Sequence, residues 1–368
     1  MKVHYNYLPQ EFRDIEPIII DWRELAASSE FTLGPFVENF ENKFAKTVNA
    51  KHCIAVNNGT DALILSLKAA DIGVGDEVIT VTNTFYATVG AIVAVGATPV
   101  LIDCDSRYQI DPYKIEGAIT PKTKAVIPVH WGGASPEMDR IMAICQSNNL
   151  IVIEDACMGI GASINGKSPG TFGLVNAYSM HPLKSLNAMG DGGVVATDDD
   201  ELAIWMRKYR NHGMVDRNHI EFWGVNLRMQ PLQCIVLSRG LDRLQSTIEQ
   251  RNRNARILDA GLSQINGVTV PERLNGYTET FALYMVLCER RDQLISYLHD
   301  NEIEAKIHYP LALHQQEAAQ SGCKFDPNLL PVATYQADHL ITLPVHQFLD
   351  ENHMTYMVEK IKDFYEHS

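Results

Sequence analysis

Apolar runs and amphipathic runs alternate between residues 34 and 155 of the chain. The apolar runs predict strands at residues 52–56, 76–81, 98–104, 124–129 and 150–155. Apolar residues at helical spacing predict helices at residues 34–48, 60–70, 87–95 and 138–147. Strands that are apolar on both faces and separated by helices are typical of a mainly parallel sheet that helices cover. The pattern therefore predicts an α/β fold with a large domain.

The pattern changes near residue 245. A long helix is predicted at residues 246–265, and shorter strand and helix patterns follow it. We therefore predict a large domain with an N-terminal arm over residues 1–245 and a smaller C-terminal α/β domain over residues 246–368.

The composition narrows the class of protein. Of 368 residues, 46% are hydrophobic and 21% are charged, as in ordinary globular proteins. The 31 basic and 45 acidic residues give a net charge of -14, which argues against nucleic acid and anionic membranes as partners. No apolar run is long enough to span a bilayer, and the N-terminal residues lack the apolar middle of a signal peptide. A cytoplasmic protein is expected.

Seven cysteines are scattered along the chain without a C-x-x-C pair. This usage is typical of buried, reduced thiols, so we expect neither disulfides nor a metal site.

The segment GASINGKS, residues 161–168, fits the phosphate-binding loop G-x-x-x-x-G-K-[ST]. That loop needs a helix directly after it, because the helix N-terminus helps to hold the phosphates. Pro169 and Gly170 follow instead. We therefore predict a polar hairpin with a solvated Lys167 and no nucleotide hydrolysis.

A second candidate lies where strand 52–56 turns into helix 60–70. In parallel sheets ligands bind at the carboxyl ends of the strands. Here the turn around Gly59, Thr60 and Asp61 is expected to expose unpaired N–H groups to an anion, with the Asp61 carboxylate turned aside to cap the helix. A plain helix cap fits the same residues.

The sequence places an acid and an amine at the same edge of the sheet. Asp155 ends one buried strand, and Pro182 stops another just before Lys184. Asp155 could cap a helix, or it could pair with a protonated heteroaromatic nitrogen. A lysine that forms an imine, an aspartate on a ring nitrogen and a helix end for a phosphate together indicate pyridoxal phosphate chemistry.

Eleven segments in one order resemble the DegT/StrS family of pyridoxal-phosphate sugar aminotransferases. The resemblance extends over nearly the whole chain. The segments are FTLGPFVENFENKFA, NNGTDAL, VGDEVIT, TFYATVGAIVAVGATPVLIDCD, PVHWGG, EDACMGIGA, YSMHPLKSLNAMGDGGVV, RNHG, GVNLRM, HYPLALH and LPVHQFL. The resemblance implies the pyridoxal-phosphate-dependent transferase fold of type I.

The resemblance also implies roles for individual residues. Lys184 would form the Schiff base with pyridoxal 5′-phosphate and later shuttle a proton, while Asp155 would bind the pyridine nitrogen. Phe85 would stack on the ring, although core packing explains a phenylalanine there equally well. The phosphate would be held by the turn at Gly59, by the backbone of Thr60 and Asp61, by the Ser179 hydroxyl, and by Asn226 of the neighbouring subunit. A homodimer with shared active sites follows.

The sequence departs from the family pattern at Met158, where glutamine or histidine usually contacts the phenolic oxygen of the cofactor. Methionine cannot donate that hydrogen bond. The segments that resemble the substrate-facing parts of the family contribute four candidate sugar contacts, which are His181, His308, Tyr309 and His314.

The expected reaction moves an amino group from L-glutamate or L-glutamine to a keto-sugar, expected to be linked to a nucleotide, with pyridoxamine 5′-phosphate formed between the two halves. Such a reaction belongs to amino-sugar biosynthesis for a surface polysaccharide or a secondary metabolite. A sugar dehydratase of the same family is the nearest alternative, but dehydratases replace the Schiff-base lysine by histidine, so Lys184 favours transamination. A non-enzymatic regulatory protein is the alternative from another class.

Overall fold

The computed structural model describes residues 1–367. Its strands are β1 (His52–Val56), β2 (Glu77–Val81), β3 (Thr98–Ile102), β4 (Thr123–Ile127), β5 (Ile151–Asp155), β6 (Ser163–Ile164), β7 (Val175–Ser179), β8 (Gly193–Thr197), β9 (Met214–Asp216), β10 (His219–Ile220), β11 (Val268–Thr269), β12 (Tyr277–Thr278), β13 (Tyr284–Cys288) and β14 (Leu340–Leu343). The helices of four or more residues are α1 (Leu8–Glu11), α2 (Glu16–Ser28), α3 (Pro35–Val48), α4 (Gly59–Ala69), α5 (Tyr86–Ala94), α6 (Ile115–Ala118), α7 (Met138–Ser147), α8 (Asp200–Tyr209), α9 (Pro231–Leu262), α10 (Arg291–Asp300), α11 (Glu317–Gly322), α12 (Pro331–His339) and α13 (Glu351–His367).

A seven-stranded central sheet has the order β1-β8-β7-β5-β4-β2-β3. Only β8 pairs antiparallel with its neighbours in this sheet, and the remaining pairs are parallel. Apolar clusters cover both faces, as the unbroken apolar strands predict. The mainly parallel α/β sheet expected from the sequence is therefore confirmed, and the five predicted strands correspond to β1–β5.

The helix α9 is longer than the sequence pattern suggested. It runs without interruption from Pro231 to Leu262, because the apolar face of the segment before residue 246 continues in phase into the predicted helix. Strands β11, β13 and β14 form a separate three-stranded sheet that packs with α10 and α13 on a second apolar core. Residue 245 lies inside α9, so a domain boundary at that point remains a prediction.

The segment GASINGKS forms the predicted hairpin and no phosphate loop. Asn165 and Gly166 turn the chain with positive φ angles of 51° and 85°, and Ile164 pairs with Lys167. The next regular element is the strand β7, and Lys167 is exposed, with its Nζ 4.1 Å from the centroid of the Phe172 ring. The seven cysteines are all free thiols.

The helices within residues 1–367 include none long and apolar enough to cross a membrane.

A buried ion pair supports the strand end that carries Asp155. Glu154 and His130 are both fully buried, with Glu154 Oε2 2.8 Å from His130 Nε2. The Glu154 carboxylate also accepts hydrogen bonds from the backbone N–H groups of Gly170, Phe172 and Gly173. Because side chains alternate along a strand, Glu154 points away from the side to which Asp155 points. The network thereby fixes the carboxyl end of β5.

Replacing Glu154 by alanine is expected to lower the free energy of unfolding by about 3 to 5 kcal/mol, because His130 and three N–H groups lose their buried acceptor. Urea unfolding followed by circular dichroism measures the change. The control, Lys362→Ala, removes an exposed pair with Glu366 and is expected to cost less than about 0.5 kcal/mol. Equal losses in both variants would contradict the role given to Glu154.

The same carboxylate makes stability depend on pH. Burial raises the pKa of Glu154, but the hydrogen bond and charge of His130 and the N–H groups of Gly170 and Gly173 outweigh it and lower the pKa below 4.5. A carboxylate whose pKa falls on folding stabilises the fold above its unfolded pKa. This contribution is therefore expected to be lost as the pH falls from about 4.5 through the folded value, which urea unfolding at several acidic pH values measures.

Candidate active site

A cavity of about 630 Å³ opens at the carboxyl ends of the parallel strands. Its walls come from the residues that follow β1, β2, β5 and β7, and from the segments around residues 282 and 308. Eleven of the predicted site residues line it, namely Gly59, Thr60, Asp61, Phe85, Asp155, Met158, Ser179, His181, Lys184, His308 and Tyr309. The structure therefore brings together residues that lie up to 250 positions apart in the sequence.

Asp155 is the buried acid of this cavity, with 5% of the residue exposed. The hydroxyl of Thr88 donates to its Oδ2 at 2.7 Å, and the backbone N–H of Cys157 donates to its Oδ1 at 3.2 Å. Among residues 1–367, no nitrogen of lysine, arginine or histidine lies within 4.0 Å of the carboxylate. A buried carboxylate without a cation is costly, so this position is suited to a cationic group supplied by a ligand.

Lys184 faces the same cavity from the loop that follows β7. Its backbone is held on both sides, since its N–H donates to the carbonyl of His181 at 2.8 Å and its carbonyl accepts from the Tyr7 hydroxyl at 2.8 Å. Burial lowers the pKa of the Lys184 amine, and the neighbouring Cys157 and Asp155 only partly offset that effect. The lowered pKa increases the share of free amine at neutral pH, which imine formation requires.

The N-terminus of α4 packs closely against the end of β7. A side chain at Gly59 would place its Cβ 2.7 Å from Cβ of Ser179 and 2.9 Å from Sγ of Cys157. Only glycine allows this approach, which places the Ser179 hydroxyl beside the first turn of the helix. Such a turn presents N–H groups and the positive end of the helix dipole to an anion.

The expectation that Asp61 caps the helix was wrong. The cap of α4 is Asn58, in extended conformation, rather than Asp61. The Asp61 N–H already donates to Asn58 Oδ1 at 2.8 Å, and the Asp61 carboxylate accepts from Asn58 Nδ2 at 3.1 Å. The reason is that a capping side chain accepts from the N–H two or three residues later, and Asp61 lies at the third position after Asn58. Gly59 and Thr60 keep the N–H groups that can face an anion.

Aromatic side chains form one wall of the cavity. Phe85 is half-buried and packs on the main core, and its ring centroid lies 3.9 Å from that of Tyr86 and 6.0 Å from that of Tyr309. The structure therefore places Phe85 at the cavity as well as against the core. Met158 also lines the cavity, and its backbone carbonyl accepts from the Thr280 hydroxyl at 2.9 Å.

Two of the candidate histidines are held neutral near pH 7. Burial, with the charges of Lys184 and Lys306, lowers the pKa of His308 to about 4, and its Nδ1 lies 3.0 Å from Thr342 Oγ1. Partial burial and then the charge of Lys184 lower the pKa of His181. Burial raises the pKa of Tyr309 to about 12, so its phenol stays protonated as a possible donor.

Two predicted site residues lie elsewhere. His314 is buried outside the cavity, where its ring nitrogens lie 2.9 Å and 3.2 Å from the hydroxyls of Thr82 and Thr334. Asn226 is exposed on the surface and does not line the cavity of its own chain.

Several residues that build the site were not among those predicted from the sequence. Thr88 binds Asp155, Trp131 and Tyr5 line the cavity, and Tyr7 binds the backbone of Lys184. Thr88 lies one helical turn after Phe85, so the pattern of α5 could have indicated that it faces the same side. No local pattern connects Tyr5 or Tyr7 with a loop that lies about 180 residues away.

Known proteins are similar to this chain in sequence and in fold. The chain is 38% identical to a "Pleiotropic regulatory protein" of Geobacillus stearothermophilus, over 100% of both chains. It is 38% identical to the UDP-N-acetyl-3-dehydro-alpha-D-glucosamine 3-aminotransferase of Acidithiobacillus ferrooxidans, over 91% of this chain and 90% of that protein. The crystal structure of Streptomyces venezuelae DesV in complex with a ketimine intermediate superimposes with a TM-score of 0.96 at 32% identity, covering 100% of this chain and 99% of DesV.

The family model described as the DegT/DnrJ/EryC1/StrS aminotransferase family matches residues 14–362. This match confirms the resemblance and the fold type expected from the sequence. With nearly the whole chain matched and two relatives at 38% identity over at least nine tenths of their length, the protein belongs to the DegT/DnrJ/EryC1/StrS aminotransferase family.

Proposed function

We propose that this pyridoxal-phosphate-dependent aminotransferase moves an amino group from L-glutamate to a keto-sugar that is carried on a nucleotide. The observation that carries the proposal is the buried Asp155 carboxylate without a cationic partner in the described chain, facing the cavity of Lys184. The relative from A. ferrooxidans is named for a UDP-linked keto-sugar, which supports the substrate class.

The residues present fit the cofactor. When bound, pyridoxal 5′-phosphate supplies an electron sink for the negative charge that develops at the donor carbon, and it carries the amino group as pyridoxamine 5′-phosphate. Asp155 would bind the protonated pyridine nitrogen, because each charge keeps the other group ionised. The N–H groups of Gly59 and Thr60 and the Ser179 hydroxyl would bind the phosphate at the N-terminus of α4.

Lys184 would act as the base and the acid of the reaction. Its Nζ would take a proton from the donor carbon and deliver it to the cofactor carbon that is bonded to the transferred nitrogen. A lowered pKa favours this proton transfer near neutral pH. Phe85 would hold the ring by stacking from the aromatic wall. Met158 offers no side-chain donor to the phenolic oxygen, so that contact would come from another group.

The sugar would bind among His181, His308 and Tyr309 at the cavity wall. Neutral imidazoles and a protonated phenol suit sugar hydroxyl groups, which donate and accept hydrogen bonds. For His314, both ring nitrogens face hydroxyl groups of the fold, and its geometry supports a structural role.

We further propose a homodimer with shared active sites, working in the cytoplasm. Asn226 lies outside the cavity of its own chain, beside an exposed apolar segment in which Trp223 is 88% exposed. This geometry suits a residue that reaches the phosphate site of a neighbouring subunit, since exposed apolar surface is typical of subunit contacts.

A regulatory protein is the second candidate, because the relative from G. stearothermophilus is named for regulation. The presence of Lys184 and Asp155 in one cavity favours the enzyme, since a protein that only regulates has no need of a buried acid beside a reactive amine.

Replacing Lys184 by alanine is expected to abolish turnover while the protein stays folded, because no other lysine among residues 1–367 lines the cavity. The visible absorption band of the holoenzyme reports the imine. Its loss on borohydride reduction, with the label mapped by mass spectrometry, identifies the residue that forms it. Lys167→Ala, at an exposed lysine of the hairpin, is the control and should retain the band. A label that appears on another residue would refute the assignment.

Replacing Asp155 by asparagine is expected to reduce turnover by about 100-fold or more, because the ring nitrogen loses the charge that keeps it protonated. Release of 2-oxoglutarate from L-glutamate with a panel of nucleotide-linked keto-sugars measures it. The cofactor-free variant should be at least as stable as the wild type, since a buried uncompensated charge is removed. Unchanged turnover would contradict the role of Asp155.

Shared sites are tested by co-expressing two variants, Lys184→Ala, which is expected to be inactive, and Asn226→Ala, which is expected to be impaired because it loses one phosphate contact. A hybrid dimer contains one site with an intact Lys184 and an intact Asn226, so co-expression is expected to restore part of the activity that each variant lacks alone. Sedimentation measures the dimer, and turnover of the purified hybrid measures the restored site. Activity that stays at the level of the separate variants would contradict a site built from two subunits.

A further inference from the structure

Tyr7 reaches the lysine loop, defined as residues 181–187, from the other end of the chain. It is buried, with 3% exposed, and its hydroxyl donates to the backbone carbonyl of Lys184 at 2.8 Å. Because the Lys184 N–H is bound to the His181 carbonyl, the Tyr7 hydroxyl completes the hydrogen bonding of the Lys184 backbone. The position of this backbone sets where the amine can reach.

The hydroxyl also touches the far side of the lysine loop. Asn187 Nδ2 donates to the carbonyl of Pro182 at 3.0 Å and approaches the Tyr7 oxygen at 3.4 Å. One phenol therefore contacts the loop at Lys184 and at Asn187.

The ring of Tyr7 is held by contacts that do not involve its hydroxyl. The guanidinium of Arg251, a residue that is 1% exposed, lies with its Cζ 5.2 Å from the ring centroid, and the His346 ring centroid lies at 5.1 Å. Arg251 donates to Gln347 Oε1 and to the carbonyl of Phe281, and its Nη2 has no partner among residues 1–367. The negative face of the Tyr7 ring thus offsets part of the positive charge of Arg251, as a carboxylate would otherwise do.

The N-terminal arm, residues 3–7, ties Tyr7 to the second apolar core, which lies between the three-stranded sheet and helices α10 and α13 and is called the smaller core below. The Val3 N–H donates to the carbonyl of Glu302, and the Tyr5 N–H donates to the Glu304 carboxylate at 2.9 Å. Tyr5 then stacks on His308, with ring centroids 5.9 Å apart, at the wall of the active-site cavity. The arm therefore connects the smaller core, the cavity wall and the lysine loop.

We propose that Tyr7 is a positioning residue for Lys184, whose hydroxyl fixes the lysine backbone so that Nζ stays in line for proton transfer. This inference rests on the proposed function, since it assigns Tyr7 to the step in which Lys184 moves the proton. A displacement of about 1 Å at a reacting group can cost about 100-fold in rate.

The test is Tyr7→Phe in the holoenzyme, which keeps the ring and its contact with Arg251 and removes only the hydroxyl. The maximal rate at which L-glutamate bleaches the visible cofactor band is expected to fall by about tenfold to 100-fold, with less than about a twofold change in the half-saturating glutamate concentration. The isotope effect with α-deuterated L-glutamate is expected to rise, because proton transfer becomes slower than the other steps.

Tyr356→Phe is the matched control. Its hydroxyl also donates to a backbone carbonyl, that of Asn301 at 3.1 Å, but in the smaller core. It should leave the maximal rate and the isotope effect unchanged. A Tyr7→Phe holoenzyme that matches the wild type in both quantities would overturn the proposal, even if the variant unfolds more easily.

Failure of the proposed donor is separable from failure of this inference. A wild-type holoenzyme that does not react with L-glutamate contradicts only the proposal that L-glutamate is the amino donor. The pH titration of the visible band then decides the role of Tyr7, because the band reports the imine at Lys184. A shifted apparent pKa in Tyr7→Phe, with none in Tyr356→Phe, supports positioning, and identical titrations overturn it.

Discussion

The site depends on one buried acid, the carboxylate of Asp155. The fold buries it at the end of β5 and gives it two hydrogen bonds, from Thr88 and from the N–H of Cys157, but no cation within 4.0 Å among the described residues. In a protein interior such a charge is costly unless a partner offsets it. A protonated ring nitrogen is a partner of the right sign and size, and the amine of Lys184 lies in the same cavity to react with the rest of that ring.

Parallel sheet topology makes this juxtaposition possible. Strands β5 and β7 are neighbours, with Asp155 opposite Ala177, so the segments that follow both strands leave the sheet at the same edge. Glu154 anchors that strand end from the opposite face through His130 and the turn at Gly170–Gly173. The absence of a side chain at Gly59 then lets the N-terminus of α4 approach Ser179, and we propose that this helix end binds the phosphate. The acid, the amine and the helix N-terminus therefore all line one cavity at this edge of the sheet.

The sequence indicated the residues whose function follows from strand ends and helix starts. Asp155, Lys184 and Gly59 could be found because apolar strands, Pro182 and a glycine turn mark those positions. The pairing of the Asp61 N–H with Asn58 could not be read from the pattern, since a cap and an anion site use the same residue types. The position of His314, the continuity of α9 through residue 245 and the reach of Tyr7 to Lys184 depend on tertiary packing between distant segments. Local patterns carry no information about such contacts.

In the proposed site, the nitrogen of the bound cofactor ring is protonated because Asp155 is ionised beside it. The most direct measurement is the ¹⁵N chemical shift of ring-labelled pyridoxal 5′-phosphate in the wild-type holoenzyme, followed from about pH 6 to pH 9. The account predicts a protonated nitrogen throughout that range. A ring nitrogen that is unprotonated at neutral pH would contradict it.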